Sequence, residues 1–293
     1  AKRNNAKVLY SETDVEKALN QSRVCLFEKT EQIGEHIKVT YFSNGHLIGA
    51  AIILVQISYP EKEDINLLFL GDYHYKNLFL DVVDLPQWVK NLNLIVITES
   101  TYGYMDSNKI HKCFAENILR CLYNNGTVVS PVFSLGRAQE ILYELRELQN
   151  MKELDVNLPI YLDGKLAINY TSLYTNGKLH IKPSMVDFLP RNLTFVDKTT
   201  RDKVLYGTDK KIILTTSGMG NYGPAQLYIP EYIKRKNSMI HFTGYTAPDT
   251  LGGKLKSAKE GETVEVGGLV MEKSGMVEYT NEFSAHAKAD EII

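Results

Sequence analysis

Four polar residues stand where apolar segments end, beside glycine or other small residues. They are His46 in Asn44-Gly45-His46-Leu47-Ile48-Gly49-Ala50, Asp72 in Gly71-Asp72, Glu99 in Glu99-Ser100-Thr101-Tyr102-Gly103, and His286 in Phe283-Ser284-Ala285-His286. Imidazole and carboxylate both suit zinc, so a histidine and an aspartate at the ends of neighbouring strands can converge on one metal. Each residue also has a plain structural reading. An aspartate after glycine commonly stabilises a turn, a histidine beside glycine can face solvent, Glu99 can be a salt-bridging acid, and His286 stands near a chain end. Only their order and context separate the two readings.

Positioning such residues requires strand ends, and the apolar pattern supplies them. Ala50–Ile57 and Ile65–Leu70 are short and rich in Ile and Leu, and the stretch between them, Ser58–Asp64, carries Pro60 and four charges. That predicts a β-hairpin, with Gly71-Asp72 closing its second strand. Leu94–Thr98 predicts another buried strand. From Ser107 the period changes: Ile110, Cys113, Phe114, Ile118, Cys121 and Leu122 recur at three- and four-residue steps before Gly126, which predicts a helix.

The chain then alternates. Strands are predicted over Thr127–Phe133, Pro159–Leu162, Ile212–Thr216 and Met239–Phe242, with helices between them over Arg137–Leu148, Leu166–Tyr174 and Gln226–Lys234. Thr263–Val266 and Met276–Tyr279 add two short strands. Such alternation implies crossover connections, hence an α/β unit with a mostly parallel sheet flanked by helices. Its functional loops belong at the carboxyl ends of the strands, which here are Ser130–Gly136 and Thr215–Gly223. A β-rich start up to about Gly103 precedes this α/β unit.

Composition removes several function classes. With 293 residues, 44% apolar and 23% charged, and a net charge of −2, the chain can build sizeable cores and is not disordered over most of its length. The longest nearly apolar run, Leu47 to Ile57, falls far short of the roughly 20 residues a bilayer core needs. No basic, then apolar opening directs secretion, so a cytoplasmic location is expected (nuclear if the source is a eukaryote), away from membranes. Cys25, Cys113 and Cys121 form no CxxC pair, so neither a disulfide framework nor a thiolate zinc site is expected. The 33 basic and 35 acidic residues nearly cancel, so any nucleic-acid binding must rest on local positive charge.

The segments Tyr10-Ser11-Glu12-Thr13-Asp14, GHLIGAA, GD, ESTYG, PVFSLGRAQE (Pro131–Glu140), SGM (Ser217–Met219), GYTAPDTLG (Gly244–Gly252) and FSAH follow one another in this order. In that order and spacing the chain resembles the β-CASP branch of the metallo-β-lactamase superfamily, which includes the nuclease of the mRNA 3′-end cleavage machinery and its archaeal and bacterial relatives. The resemblance covers essentially the whole chain. It implies an αββα metallo-β-lactamase domain into which a β-CASP domain is inserted, with residues 1–104 and 283–293 in the former and 105–282 in the latter. It also implies that His46 is a zinc ligand and Asp72 the carboxylate bridging two zinc ions. Glu99 and His286 match the acid and the histidine of two β-CASP motifs, a pair in which the acid fixes and charges the imidazole. The implied reaction is hydrolysis of an RNA phosphodiester in which His286 protonates the departing 3′-oxygen, leaving a 5′-phosphate and a 3′-hydroxyl.

The departures from the pattern are equally definite. The HxHxDH signature that supplies most zinc ligands in the family is absent, and His36, in Gly34-Glu35-His36-Ile37, does not replace it. The final histidine motif of the family does not follow His286 either. Because the missing motifs flank an intact middle, we expect a part of a longer enzyme, binding zinc poorly and cleaving little alone. The alternative is a catalytically silent RNA-binding or scaffold subunit. A small-molecule hydrolase is disfavoured by the inserted domain.

Further residues follow from the same resemblance. Ser217, Gly218 and Met219 lie in a strand-to-helix loop that can offer backbone N–H groups to a phosphate. Arg137 can contact RNA phosphate or form a structural ion pair. Lys254 and Lys256, after the GYTAPDTLG segment, are candidates for salt-sensitive contacts to the RNA backbone. Among the 18 tyrosines, Tyr102, Tyr222 and Tyr245 lie in motif loops and can stack on bases or pack under the loops. RNA is the expected partner, DNA a second possibility since some relatives act on DNA ends, and a second copy or a related subunit a possible companion.

Overall fold

Between residues 30 and 71 apolar residues alternate with polar ones over Ile37–Tyr41 and run together over Ala51–Val55 and Leu67–Leu70, short segments bounded by glycine and charged turns. In the computed structural model, which describes residues 9–82, 84–106, 110, 112–176, 181–266 and 268–292, this stretch becomes four strands. Helix α1 (Glu12–Gln21) comes first, opened by a reciprocal cap in which Ser11 N–H donates to Asp14 Oδ2 at 2.8 Å and Asp14 N–H to Ser11 Oγ at 3.3 Å. Strands β1 (Thr30–Gly34), β2 (Ile37–Ser43), β3 (Ala51–Ile57) and β4 (Ile65–Gly71) then pair antiparallel in order. The expected hairpin is β3–β4, with Ile53 opposite Phe69 and Ile57 opposite Ile65. Helix α2 (Gln87–Lys90) leads into β5 (Leu94–Thr98), which completes the sheet as an edge strand. Phe42, Ile52, Leu54, Leu68 and Val89 form its core.

Strand β5 departs from expectation in one respect. Its continuous apolar run predicts burial on both faces, yet Ile95, Val96 and Ile97 are exposed. An apolar run fixes the strand but not what covers it.

The remaining elements build a second sheet. They are α3 (Phe114–Tyr123), β6 (Thr127–Pro131), α4 (Arg137–Asn150), β7 (Ile160–Asp163), α5 (Lys165–Thr175), β8 (Leu193–Phe195), α6 (Arg201–Tyr206), β9 (Ile212–Thr215), α7 (Ala225–Tyr232), β10 (Ser238–Phe242), α8 (Leu251–Ser257), β11 (Thr263–Val266), β12 (Leu269–Glu272), β13 (Met276–Tyr279) and α9 (Ala289–Ile292). Six strands align in the order β13-β10-β6-β9-β7-β8, every pair parallel, while β11 and β12 form a separate antiparallel pair. Helix α3 starts at Phe114, so Ile110 and Cys113 precede it; the expected start at Ser107 lies outside the described residues. Among these the sequence pattern missed α6, α8, α9, β8 and β12, which are all short.

Side chains alternate between the faces of a strand, and here both faces are apolar. Val128, Ile212, Leu214 and Met239 pack with Phe114, Ile118, Ile141 and Leu145 of α3 and α4. Their neighbours Val129, Ile213, Ile240 and Phe242 pack with Ala225, Tyr228, Ile229, Leu251 and Leu255 of α7 and α8. The sheet is therefore covered on both sides, as crossover connections require.

The turn from α3 into β6 is tight. A Cβ on Gly126 would collide with the Asn237 carbonyl and lie 2.6 Å from Cys121 Sγ and 2.8 Å from the Cys121 carbonyl. Gly126→Ala should therefore cost about 1–3 kcal/mol, the usual range for overpacking. Urea denaturation of the two proteins measures it, and an unchanged midpoint would contradict this reading of the turn.

Contacts divide the chain into two units. The smaller holds the described residues of Ala1–Ser43, Ala51–Leu70 and Asp84–Ile97, and the larger those of Asn44–Ala50, Gly71–Val83 and Thr98–Ile293. No helix among the described residues is long and apolar enough to cross a membrane.

Candidate active site

All four residues that opened the sequence argument fall in the larger unit. Its parallel sheet determines where they meet. Strands β13, β10, β6 and β9 are adjacent, so the loops leaving their carboxyl ends are adjacent too. Those loops carry Phe283 to His286, Gly244 and Tyr245, Phe133 and Leu135, and Met219, and together they line one cleft of about 610 Å³. His46 and Leu47, Thr101, Tyr102 and Tyr104, and Arg137 and Asn281 complete its lining.

Buried asparagines fix the first pair. Asn44 Nδ2 donates to the Asp72 carbonyl at 2.8 Å, and Asn44 Oδ1 accepts from the His46 N–H at 3.0 Å, so one side chain ties both loops together. Asn77 Nδ2 holds the Gly45 carbonyl at 2.6 Å. Gly45 itself has φ 71°, and a Cβ there would run into the His74 carbonyl and Val82. Only glycine suits this turn. The result places His46 Nε2 3.9 Å from Asp72 Oδ2.

A second pair lies alongside. His286 Nδ1 is 2.7 Å from Glu99 Oε2, and Glu99 Oε1 accepts from the Tyr73 N–H at 2.8 Å. Burial alone would push the Glu99 carboxyl up, but hydrogen bonds from Thr101, Tyr73 and His286 outweigh it and hold the group below the ordinary carboxylate range. The backbone around His286 is pinned as well: Ser284 Oγ accepts its N–H at 3.1 Å, and Ala287 N–H donates to the Tyr73 carbonyl at 2.9 Å. The His46 and His286 rings stand 4.8 Å apart between centroids, and Tyr102 meets His286 edge-on at 5.8 Å.

The donor set fits a divalent cation. His46 Nδ1 lies 2.7 Å from the Ala285 carbonyl, which can only accept, so the proton is on Nδ1 and the Nε2 lone pair is free to coordinate. By the same argument Glu99 places a proton on His286 Nδ1. One atom from each of His46, Asp72 and His286 falls within 4.8 Å of the other two. Imidazole nitrogen and carboxylate oxygen are what zinc accepts. The arrangement could hold a metal on His46 and Asp72, and could move a proton at His286.

The other sequence candidates are distributed unevenly. Met219 and Arg137 line the cleft. Arg137 is also engaged internally: Nε donates to Glu140 Oε2 at 3.0 Å, Nη1 to the Thr243 carbonyl, and the guanidinium stacks 5.6 Å from the Phe283 ring centre. The Ser217 loop folds on itself, with Ser217 N–H donating to the Tyr222 carbonyl at 2.9 Å and Gly220 N–H to the Ser217 carbonyl at 2.9 Å. Lys254 and Lys256 are not among the residues lining the cleft. Lys254 Nζ donates to the Glu265 carbonyl at 2.9 Å, and Lys256 lies over the Tyr279 ring at 4.6 Å, half-buried, with burial lowering its pKa. The sequence reading missed Asn44, Thr101 and the Ala285 carbonyl as positioning groups. Asn44, two residues before His46, offered the one local signal.

Comparison with known proteins bears on the family. A profile described as the Beta-Casp domain matches residues 138–255. The chain is 31% identical over 265 residues to the RNase J-like protein of Methanocaldococcus jannaschii, covering 87% of this chain and 60% of that protein. It is 30% identical to the transcription termination factor FttA of Methanosarcina mazei, over all of this chain and 48% of the relative. To the cleavage and polyadenylation specificity factor subunit 3-I of Arabidopsis thaliana it is 27% identical, over 96% of this chain and 40% of the relative. The chain thus spans less than two thirds of the length of each. Its α/β architecture follows the metallo-β-lactamase fold with an inserted domain. With the domain match lying between the segment that supplies Glu99 and the one that supplies His286, the chain belongs to the β-CASP family of the metallo-β-lactamase fold.

Proposed function

We propose that this chain carries catalytic residues of a zinc-dependent ribonuclease that hydrolyses RNA phosphodiesters. The observation that supports this most is the 2.7 Å contact between His286 Nδ1 and Glu99, set beside the His46–Asp72 pair, with His286 and His46 lining one cleft. The substrate class draws on relatives named as an RNase J-like protein and a cleavage and polyadenylation factor subunit. On this reading residues 1–104 and 283–293 belong to the metallo-β-lactamase domain and 105–282 to the inserted one.

His46 Nε2 and the Asp72 carboxylate would hold the metal, and zinc there would supply activation of water and neutralisation of charge on the phosphate. The chain's own residues do the rest. Glu99 keeps the Nδ1 proton on His286 and turns the ring so that Nε2 serves the cleft, while its negative charge stabilises the imidazolium. His286 then gives its Nε2 proton to the departing 3′-oxygen. Tyr73 N–H and Thr101 hold Glu99 ionised for this task.

The test is gel mapping of a 5′-labelled single-stranded RNA cut by the full-length protein. The labelled product should end in a 3′-hydroxyl, and both a chelator and Asp72→Asn should abolish cutting. Chelator-resistant cleavage, or a product ending in a 2′,3′-cyclic phosphate, would contradict the proposal.

A further inference from the structure

Phe133 leaves β6 at the carboxyl end of the parallel sheet, directly after the fully buried Val132, yet its own residue surface is 40% exposed. Two glycines seat it. A Cβ on Gly218 would lie 3.0 Å from the Phe133 nitrogen and 3.1 Å from two of its ring carbons, and a Cβ on Gly244 would lie 3.4 Å from Cε2. Neither glycine adopts a positive φ, so backbone conformation does not call for glycine at either place. At Gly218 the space taken by the ring does, while at Gly244 a Cβ would only touch it. Phe133 is thus held against the backbone of two neighbouring loops, those after β9 and β10, while the rest of it faces the cleft.

The rest of the cleft shares this character. Tyr245, 60% exposed, and Tyr104, 81% exposed, line it together with Phe133 and Met219, and His286 stands at the same cleft. Leaving large aromatic surface in water forfeits roughly 25 cal/mol for each Å² left unburied. Such a surface suits a flat group with an aromatic face. A nucleobase has one, and stacking on protein rings is indifferent to which base it is. Within a duplex the faces of a base are already covered by its neighbours, so the site favours an unpaired nucleotide.

We infer that Phe133, seated on Gly218 and Gly244, together with Tyr245 forms a stacking site for an unpaired nucleobase of the RNA beside the phosphate at His286. This rests on the ribonuclease reading and adds to it the residues that would hold a base beside the scissile phosphate. The glycine of the Ser217-Gly218-Met219 loop then serves to make room for a ring, and Phe133 rather than a basic side chain gives the cleft its grip on the base.

The probe is a short single-stranded RNA with one 2-aminopurine beside the cleavage site, bound to the full-length protein in the presence of a chelator so that it is not cut. Stacking quenches the fluorescence of this base. Strong quenching is expected at saturation, retained in Phe133→Tyr and largely lost in Phe133→Leu and Tyr245→Ala. An abasic nucleotide at the same place should weaken binding about tenfold to a hundredfold. The exposed ring of Tyr245 keeps the test informative should a Phe133 variant misfold. Unchanged quenching in Tyr245→Ala together with full affinity for the abasic RNA would overturn the stacking site, as would equal binding of a blunt RNA duplex. Failure of the unsubstituted protein to bind the RNA at all would instead overturn the ribonuclease reading, and the stacking site with it.

Discussion

Replacing His286 by alanine is expected to lower the rate of RNA cleavage about 10²–10⁴-fold, the range typical of a lost general acid. The folded state should be little affected, because the side chain lines the cleft and belongs to none of the three apolar cores. Glu99→Gln should fall on the same axis with a smaller effect. The amide can still accept from the Tyr73 N–H, which now donates to Glu99 Oε1 at 2.8 Å, but it brings no negative charge to His286. Single-turnover rates on one RNA measure both variants, and a His286→Ala rate within tenfold of the parent would contradict the assignment.

The second large effect concerns stability. Asp163, at the end of β7, is buried, and its carboxylate is held by three donors: Arg201 Nε at 2.6 Å, Arg201 Nη2 at 2.8 Å and the Tyr228 hydroxyl at 2.9 Å. Burial first, then the adjacent Asp163 charge and hydrogen bond, push the Tyr228 phenol pKa up, so it stays protonated and donating. Arg201→Met removes two of the three donors and leaves a buried charge without its partner. That should cost about 3–5 kcal/mol. Adding Asp163→Asn to it should restore part of the loss, since the charge that needed a partner is gone. Urea denaturation of the two variants tests this, and a loss below about 1 kcal/mol in Arg201→Met would contradict it.

The sequence was most legible where one physical demand acts alone. Strands β6, β7, β9 and β10 sit in a sheet covered on both faces, so apolar residues run together at their centres with few polar ones among them, and each was found within a residue or two. Strand β8 has three residues, of which Thr194 and Phe195 are exposed, and nothing in its pattern separates it from a loop. Strand β5 misled because Leu94–Thr98 carries the composition of a buried strand while facing solvent. Helix α3 began later than its periodicity suggested, since Ile110 and Cys113 extend the pattern without the backbone following it.

The candidate site divides in the same way. His46, Asp72, Glu99 and His286 stood out through motif order, and the structure groups them as two pairs side by side, with His46 and His286 lining the cleft. What holds them was not legible. Asn44 does its work through a buried amide that joins two loops, and the Ala285 carbonyl acts through the main chain, which no residue type reveals. Lys254 and Lys256 drew attention as charges in a row. A lysine lying over Tyr279, or bonded to a carbonyl across a turn, looks the same in sequence as one that awaits a phosphate.

His286 could act on the substrate or, with one atom inside the same 4.8 Å cluster as His46 and Asp72, hold the metal. The most direct measurement is cleavage by His286→Ala of two RNAs that differ only at the scissile bond, one with the natural 3′-oxygen and one with sulfur in its place. A thiolate leaves without a proton. If His286 protonates the departing oxygen, the variant should be about 10²–10⁴-fold slow on the oxygen substrate and close to the parent on the sulfur one. An equal defect on both would contradict the account and assign His286 to the metal instead.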